Sequence, residues 1–144
     1  MPEKQTLKKA QRDLRQGKSP STAAGEFVHE EIEHVREGKH GARSTKQAIA
    51  IGLAKARRAG VNLAATEGAS KETRKQAARD IKKGKSGTKK SAKRSRATRK
   101  ALKREGHSAG SKLALSRQAH AAAKKRSKAS RSRSAKKAAR TRKK

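Results

Sequence analysis

The stretch GEFVHEEIEHVREGKHGARSTKQAIAIGLAKARRAG, residues 25 to 60, decides the fold of this chain. At 100° per residue, the large apolar side chains of its first half fall within one arc of about 140°, and four glutamates cluster on the opposite face. The apolar arc holds Phe27, Val28, Ile32 and Val35. The opposite face, here called the acidic stripe, holds Glu26, Glu30, Glu33 and Glu37. This pattern predicts an amphipathic helix.

A second helix is predicted to follow in the same stretch. Ser44-Thr45-Lys46-Gln47 has the S-x-x-Q form of a capping box, and Gly60 supplies a stop. Small residues at four-residue spacing, namely Ala48, Gly52 and Ala56, would let another helix approach closely. We therefore expect an ordered helical hairpin over residues 20 to 63.

The flanking sequence predicts further helices separated by glycine stops. In the first half of the chain they span Glu3 to Gln16, Pro20 to Gly38 after a Ser19 cap, and Ser44 to Gly60. In the second half they span Ser70 to Lys83, Thr88 to Glu105 and Ser111 to Arg126. Each half thus holds three helices.

The two halves also resemble each other in sequence. RDLRQGKS at residues 12 to 19 returns as RDIKKGKS at residues 79 to 86, and REG at residues 36 to 38 returns at residues 104 to 106. We interpret these echoes as two degenerate copies of one three-helix unit. The expected organisation is an N-terminal basic helix (1–19), a helical hairpin core (20–66), a degenerate basic second copy (67–126) and a disordered basic tail (127–144).

Composition sets the fold class and the kind of partner. The chain has 43 Lys and Arg against 11 Asp and Glu, a formal charge of +32 over 144 residues. Its few large apolar residues allow only a small core, in the first copy. From Lys82 onward, 26 basic residues face one acidic residue, Glu105. We expect an all-α protein whose basic C-terminal region is largely disordered alone, because like charges repel, and gains helix on DNA.

Motifs that suggest catalysis or metal binding do not fit their templates. GKS at residues 17 to 19 and 84 to 86 lacks the upstream glycine of a phosphate-binding loop, and a helix stop explains both copies. HEEIEH at residues 29 to 34 has the wrong spacing for a zinc protease. Glu31-x-x-His34 matches half of a di-iron motif, but no second such motif occurs. We expect no enzyme activity, no cofactor and no metal site.

The acidic stripe has two interpretations. It can be a solvated face flanked by histidines, or it can dock against the basic second copy or another subunit. In the second case it would compete with DNA for the tail.

The charge pattern predicts binding to double-stranded DNA, without sequence specificity, through phosphate neutralisation. Phe27 is the only aromatic residue, so stacking platforms for single strands or RNA loops are missing. The predicted contact residues are Lys39, His40, Arg43, Lys46, Arg57, Arg58, Lys82, Lys83, Lys85, Lys89, Lys90, Lys93, Arg94, Arg96, Arg99, Lys100, Lys103, Arg104, Lys124, Lys125, Arg126, Lys128, Arg131, Arg133, Lys136, Lys137, Arg140 and Arg142.

Residues 25 to 60 resemble the core of a family of small basic bacterial proteins whose members are sometimes labelled plasmid stabilisation or DNA-binding proteins. The Ala/Lys/Ser-rich tail is similar in composition to the tails of linker histones and bacterial histone-like proteins. The first resemblance implies DNA binding or plasmid maintenance and brings no catalytic residue with it.

The expectation is therefore a histone-like, nucleoid-associated protein of the cytoplasm that bridges or compacts DNA. No apolar run is long enough to span a membrane. Self-association through residues 25 to 60 is a further expectation. Two alternatives stay open: an RNA- or ribosome-binding protein, and an antitoxin-type or plasmid-maintenance protein that uses the hairpin to hold a protein partner.

Overall fold

Seven α-helices and one short 3-10 helix form the described part of the chain, which in this computed structural model covers residues 1–66, 68–87, 89 and 91–142. No strand occurs among these residues, so the predicted all-α class is confirmed. None of the described helices combines the length and the apolarity that crossing a membrane requires. The elements are α1 (Lys4–Arg15), α2 (Pro20–Arg36), α3 (Thr45–Arg58), α4 (Lys71–Ser86), α5 (Ala92–Lys103), the 3-10 helix (Ser108–Gly110), α6 (Lys112–Lys124) and α7 (Lys128–Arg142).

Serine side chains cap the start of six helices. The hydroxyl of Ser44 accepts a hydrogen bond from the backbone N–H of Gln47 at 3.2 Å, as the sequence predicts. The Gln47 side chain in turn accepts from the backbone N–H of Arg43 at 2.7 Å, one residue further back than in a standard capping box. Equivalent caps are made by Ser19, Ser70, Ser91, Ser111 and Ser127.

The hairpin of α2 and α3 is the centre of the fold. Ala48 and Ala56 are fully buried, and a Cβ added at Gly52 would lie 2.7 Å from Cα of Val28. The two helix backbones therefore meet at Gly52, where any side chain would force them apart. The predicted close approach along the small-residue row of α3 is confirmed.

The core consists of two small apolar clusters, one at each end of this hairpin. The first lies where α1 covers α2, and it is built around Phe27 with Ala10, Ala23, Ala24, Ala56 and Val61. The second lies where the 3-10 helix covers α2 and α3, and it contains Ile32, Val35, Ala42, Ala48 and Ala109. Both clusters consist mainly of α1–α3 side chains, so the small core lies where the sequence predicts it.

Helix α4 packs on α3 and ends differently from the prediction. The sequence predicts a stop at Gly84, but Gly84 lies inside α4, and the left-handed residue that follows the helix is Gly87, with φ of +60°. A Cβ added at Gly84 would lie 2.4 Å from the carbonyl oxygen of Arg57. Gly84 therefore permits helix contact, whereas Gly17, its counterpart in the first copy, follows the end of α1 with φ of +71°.

The prediction of a largely disordered C-terminal region is wrong for residues 91–142, most of which form α5, α6 and α7. Ala, Lys and Arg have high intrinsic helix propensity, and serine caps start α5 and α6. These local terms outweigh the like-charge repulsion along the helices. The predicted start at Thr88 lies outside the described residues.

The two halves do not pack as equivalent units. Helices α1, α2 and α3 pack on one another, whereas α4 packs on α3 and α6 packs on α3 and the 3-10 helix. The side chains of α5, α6 and α7 include no buried residue. The helix order agrees with a duplicated three-helix layout, and the duplication itself stays a prediction.

Candidate nucleic-acid interface

In every ion pair among the described residues, the positively charged side chain comes from the first half of the chain. Each of them uses a cation from residues 18 to 58, and the lysines and arginines of residues 71–142 pair with no carboxylate in the part that the structure describes. Most carboxylates are thus neutralised within the α1–α4 body. The positive charge of α5–α7 is left uncompensated.

Several predicted contact residues of the first half are engaged inside the body. Arg57 is buried, and its Nε donates to the carbonyl oxygen of Leu63 at 2.7 Å. Arg58 pairs at 2.8 Å with Asp80, which is fully buried, and this pair joins α3 to α4. These two arginines therefore hold the fold together, which the sequence did not indicate.

Two further predicted contacts, Lys39 and His40, face carboxylates. Lys39 lies 2.8 Å from Glu37 and 3.4 Å from Glu3, and the hydrogen bond to Glu37 raises the pKa of Lys39 above its ordinary value. His40 is half-buried, with Nε2 3.2 Å from Oε1 of Glu31. Both side chains thus already have a carboxylate partner, although Lys39 is still exposed.

The turn between α2 and α3 is covered by the end of α5 and the residues that follow it. The backbone N–H of Gly41 donates to the carbonyl oxygen of Leu102 at 2.9 Å, and that of Ala42 donates to Gly106 at 3.0 Å. Arg43 and Lys46 remain exposed at this turn, with Arg43 3.9 Å from Glu105. Of the cations predicted to bind phosphate here, Lys46 is exposed and forms no ion pair with a described carboxylate.

The predicted contacts of the second half are all exposed where the structure describes them. Lys90 lies outside the described residues. The exposed set is Lys82, Lys83, Lys85, Lys89, Lys93, Arg94, Arg96, Arg99, Lys100, Lys103, Arg104, Lys124, Lys125, Arg126, Lys128, Arg131, Arg133, Lys136, Lys137, Arg140 and Arg142.

Four cations form a stripe along α5. Lys93, Arg96, Lys100 and Lys103 follow a 3-4-3 spacing, which places them within an arc of about 80° on an α-helix. Their Cα atoms span about 15 Å along the axis at 1.5 Å per residue. We call this set the α5 stripe. It carries four positive charges on one face with no carboxylate among the residues of α5.

Helix α7 is cationic on most of its surface. Its seven lysines and arginines cover about two thirds of the circumference, and the remaining positions are Ala, Ser and Thr. It has no large apolar residue, and none of its residues is buried. Such a helix has no large apolar side chains that could pack on a protein core. Its charge suits a polyanionic partner instead.

A cleft of about 910 Å³ lies between α3, α4 and α5. Seven lysines and arginines line it with a single carboxylate, Glu31, among the described lining residues. Its cations are Lys39, Lys55, Arg58, Lys83, Lys89, Arg94 and Arg99. The cleft therefore continues the positive surface of α5 onto the body, and it brings together cations that are up to 60 positions apart in the sequence.

The acidic stripe of α2 borders α1, with Glu30 buried and Glu37 still exposed to solvent. A groove between α1 and α2 is lined by all four of its glutamates, and Glu30 is buried and accepts a hydrogen bond from the backbone N–H of Glu3 at 3.1 Å. The Glu3 carboxylate bonds to His34 and Lys39, and these contacts lower its pKa below the ordinary value. The stripe thus tethers the N-terminal segment.

Sequence reasoning missed Glu31, a fully buried carboxylate. It lies four residues after Phe27 and four before Val35, both in the apolar arc, so it shares their row on α2. A charged residue in an apolar row was the available signal. The partners of Glu31 come from α3 and the turn, which no local pattern reveals.

Comparison with known proteins finds no family model, no curated protein and no solved structure that matches this chain.

Proposed function

We propose that this protein binds double-stranded DNA without sequence specificity, through the α5 stripe and the cations of α7. The observation that carries the proposal is the division of charge: the body neutralises its carboxylates internally, whereas the described cations of residues 71–142 form no ion pair with a carboxylate. Concentrated cations that the protein leaves uncompensated favour a polyanion, because their binding releases condensed counterions.

The geometry of the α5 stripe suits a phosphate backbone. One DNA strand presents a phosphate about every 3.4 Å along the helix axis, so about four phosphates occur within the 15 Å that the stripe spans. Four cations on one face therefore lie beside enough phosphates of the duplex for each to contact one. Such contacts position the protein but read no bases.

Helix α7 supplies a second contact surface. Because it buries no residue and carries cations on most of its surface, it can lie along a backbone in many orientations. About half of the first-half cations are held in ion pairs or by a backbone carbonyl, so bridging of two DNA segments would use α5 and α7 rather than two equivalent copies. We include a histone-like role in the nucleoid in this proposal.

The experiment measures the salt dependence of binding to a 30-base-pair duplex by fluorescence anisotropy. If the wild-type protein neutralises about 6–10 phosphates, its affinity falls by about 10³–10⁵ between 50 and 200 mM salt. Replacing the four α5-stripe cations with Gln should reduce the log–log salt slope by about 3–4, at about 0.9 per lost phosphate contact.

The matched control removes the same charge from α1, as Lys4→Gln, Lys8→Gln, Arg12→Gln and Arg15→Gln. These exposed cations also share one helix face, but their helix lies against the acidic stripe. The control should change the slope by less than about 1. Equal effects of the two variants would refute a dedicated α5 contact. Preference for duplex RNA over duplex DNA in competition would instead favour the RNA-binding alternative.

A further inference from the structure

Two histidines and a buried glutamate meet at the inner end of the cleft. Glu31, His34 and His40 each offer a ligand atom, and these atoms lie within 4.8 Å of one another. Glu31 and His34 are one helical turn apart on α2, whereas His40 comes from the turn before α3. All three residues also line the cleft, so the cluster has an open side.

The Glu31 carboxylate is satisfied at one oxygen only. Its Oε2 is held by the ammonium group of Lys55. Its Oε1 is fully buried and forms no hydrogen bond, although Nε2 of His40 is only 3.2 Å away. A buried carboxylate oxygen without a partner is costly, so a group that binds it from the cluster would relieve that cost.

The tautomer of His40 is set by its backbone neighbour. Nδ1 of His40 lies 3.0 Å from the carbonyl oxygen of Gly41, which can only accept, so Nδ1 carries the hydrogen. In the neutral imidazole, Nε2 then presents its lone pair beside Glu31 Oε1. Metal-binding histidines are commonly oriented in this way, with the second ring nitrogen bonded to a backbone carbonyl.

The local charge favours a cation even though the whole chain carries +32. The ion-pair network around the cluster contains four carboxylates and two ammonium groups, a net charge of −2 when the histidines are neutral. Its carboxylates belong to Glu3, Glu30, Glu31 and Glu37, and its ammonium groups to Lys39 and Lys55. This network is negative in itself, although the cleft onto which the cluster opens is lined by seven lysines and arginines.

We infer that Glu31, His34 and His40 form a binding site for a first-row divalent metal ion, with Zn²⁺ as the reference ion. Two imidazoles and one carboxylate form a ligand set that zinc uses in proteins, with a fourth position left to water. Ligand atoms of a tetrahedral site at about 2.0–2.1 Å from zinc lie about 3.3 Å apart, close to the His40–Glu31 separation. Lys55 remains on Oε2 and keeps the carboxylate monodentate.

The spacing also explains why the sequence did not predict this site. Glu31 and His34 supply only half of a helical metal motif, and the third ligand is His40, six residues later, beyond the end of α2. The turn must fold back toward α2 before the three side chains meet. The inference does not depend on the DNA-binding proposal, since none of the three ligands belongs to α5 or α7.

The test is titration of the full-length protein with Zn²⁺ by calorimetry and with Co²⁺ by visible absorption. The expected result is one ion per chain and the intense visible bands of a tetrahedral Co²⁺ site. His40→Gln should weaken binding by more than the ~10–100-fold that loss of an outer-shell partner costs. Glu31→Gln should do the same, and circular dichroism establishes that each variant is folded.

His120→Gln is the matched control, because His120 is exposed on α6, away from the cluster. It should leave the stoichiometry, the affinity and the Co²⁺ spectrum unchanged. Zn²⁺ should also raise the melting temperature of the wild type and of His120→Gln, but not that of His40→Gln. Absence of a 1:1 site, or equal loss of binding in His120→Gln and His40→Gln, would overturn the inference.

Discussion

The close contact between α2 and α3 predicts opposite effects for the same substitution at two glycines. Gly52→Ala adds a Cβ that would lie 2.7 Å from Cα of Val28 and 3.0 Å from the carbonyl oxygen of Phe27. Gly25→Ala, within α2, adds a Cβ with no atom within 4 Å. Both substitutions replace glycine by alanine inside a helix, so both gain the same intrinsic propensity of about 1 kcal/mol.

The packing term separates the two variants. Ordinary contact begins at 3.4 Å, so the backbones at Gly52 must separate by about 0.7 Å, and overpacking of this kind typically costs about 1–3 kcal/mol. Gly25→Ala should therefore stabilise the protein by up to about 1 kcal/mol, and Gly52→Ala should be about 1–3 kcal/mol less stable than Gly25→Ala.

Urea unfolding followed by circular dichroism measures this difference, and calorimetry provides a second readout. At roughly 2–8 °C per kcal/mol, the two variants should also differ clearly in melting temperature. If Gly52→Ala were as stable as Gly25→Ala, the two helices would not be in backbone contact, and the reasoning about the small-residue row of α3 would be refuted.

Two other predictions concern the docking of α4 and the independence of α7. Asp80→Asn should destabilise the protein by about 1.5–3 kcal/mol in urea unfolding, because it weakens the charge-assisted bond to Arg58, whereas Glu72→Asn on the exposed side of α4 should stay within about 1 kcal/mol. Similar losses in both variants would contradict a specific role for Asp80. Deletion of residues 127–144 should lower the salt slope of DNA binding and leave the unfolding midpoint of the body unchanged, since α7 buries no residue. A lower midpoint would show that α7 supports the body.

Local sequence patterns predicted the helices of the body well. The apolar arc of Phe27, Ile32 and Val35, the serine caps and the small row of α3 each act within one or two helical turns, so their effects follow from helix periodicity. The same local reasoning failed for the C-terminal region, because it gave like-charge repulsion more weight than the helix propensity of Ala, Lys and Arg.

The sequence by itself determined that the chain is helical, that its core is small and that its second half is an uncompensated polycation. Only the tertiary structure decided which positively charged side chains are engaged within the protein and which remain open to a partner. In the sequence, nothing distinguishes Arg57, Arg58, Lys39 and His40 from the exposed cations. Folding places each of them beside a carbonyl or carboxylate from outside its own helix or turn. Glu31 acquires its role in the same way, because buried ionisable groups are defined by the partners that fold around them, and those partners come from separate elements.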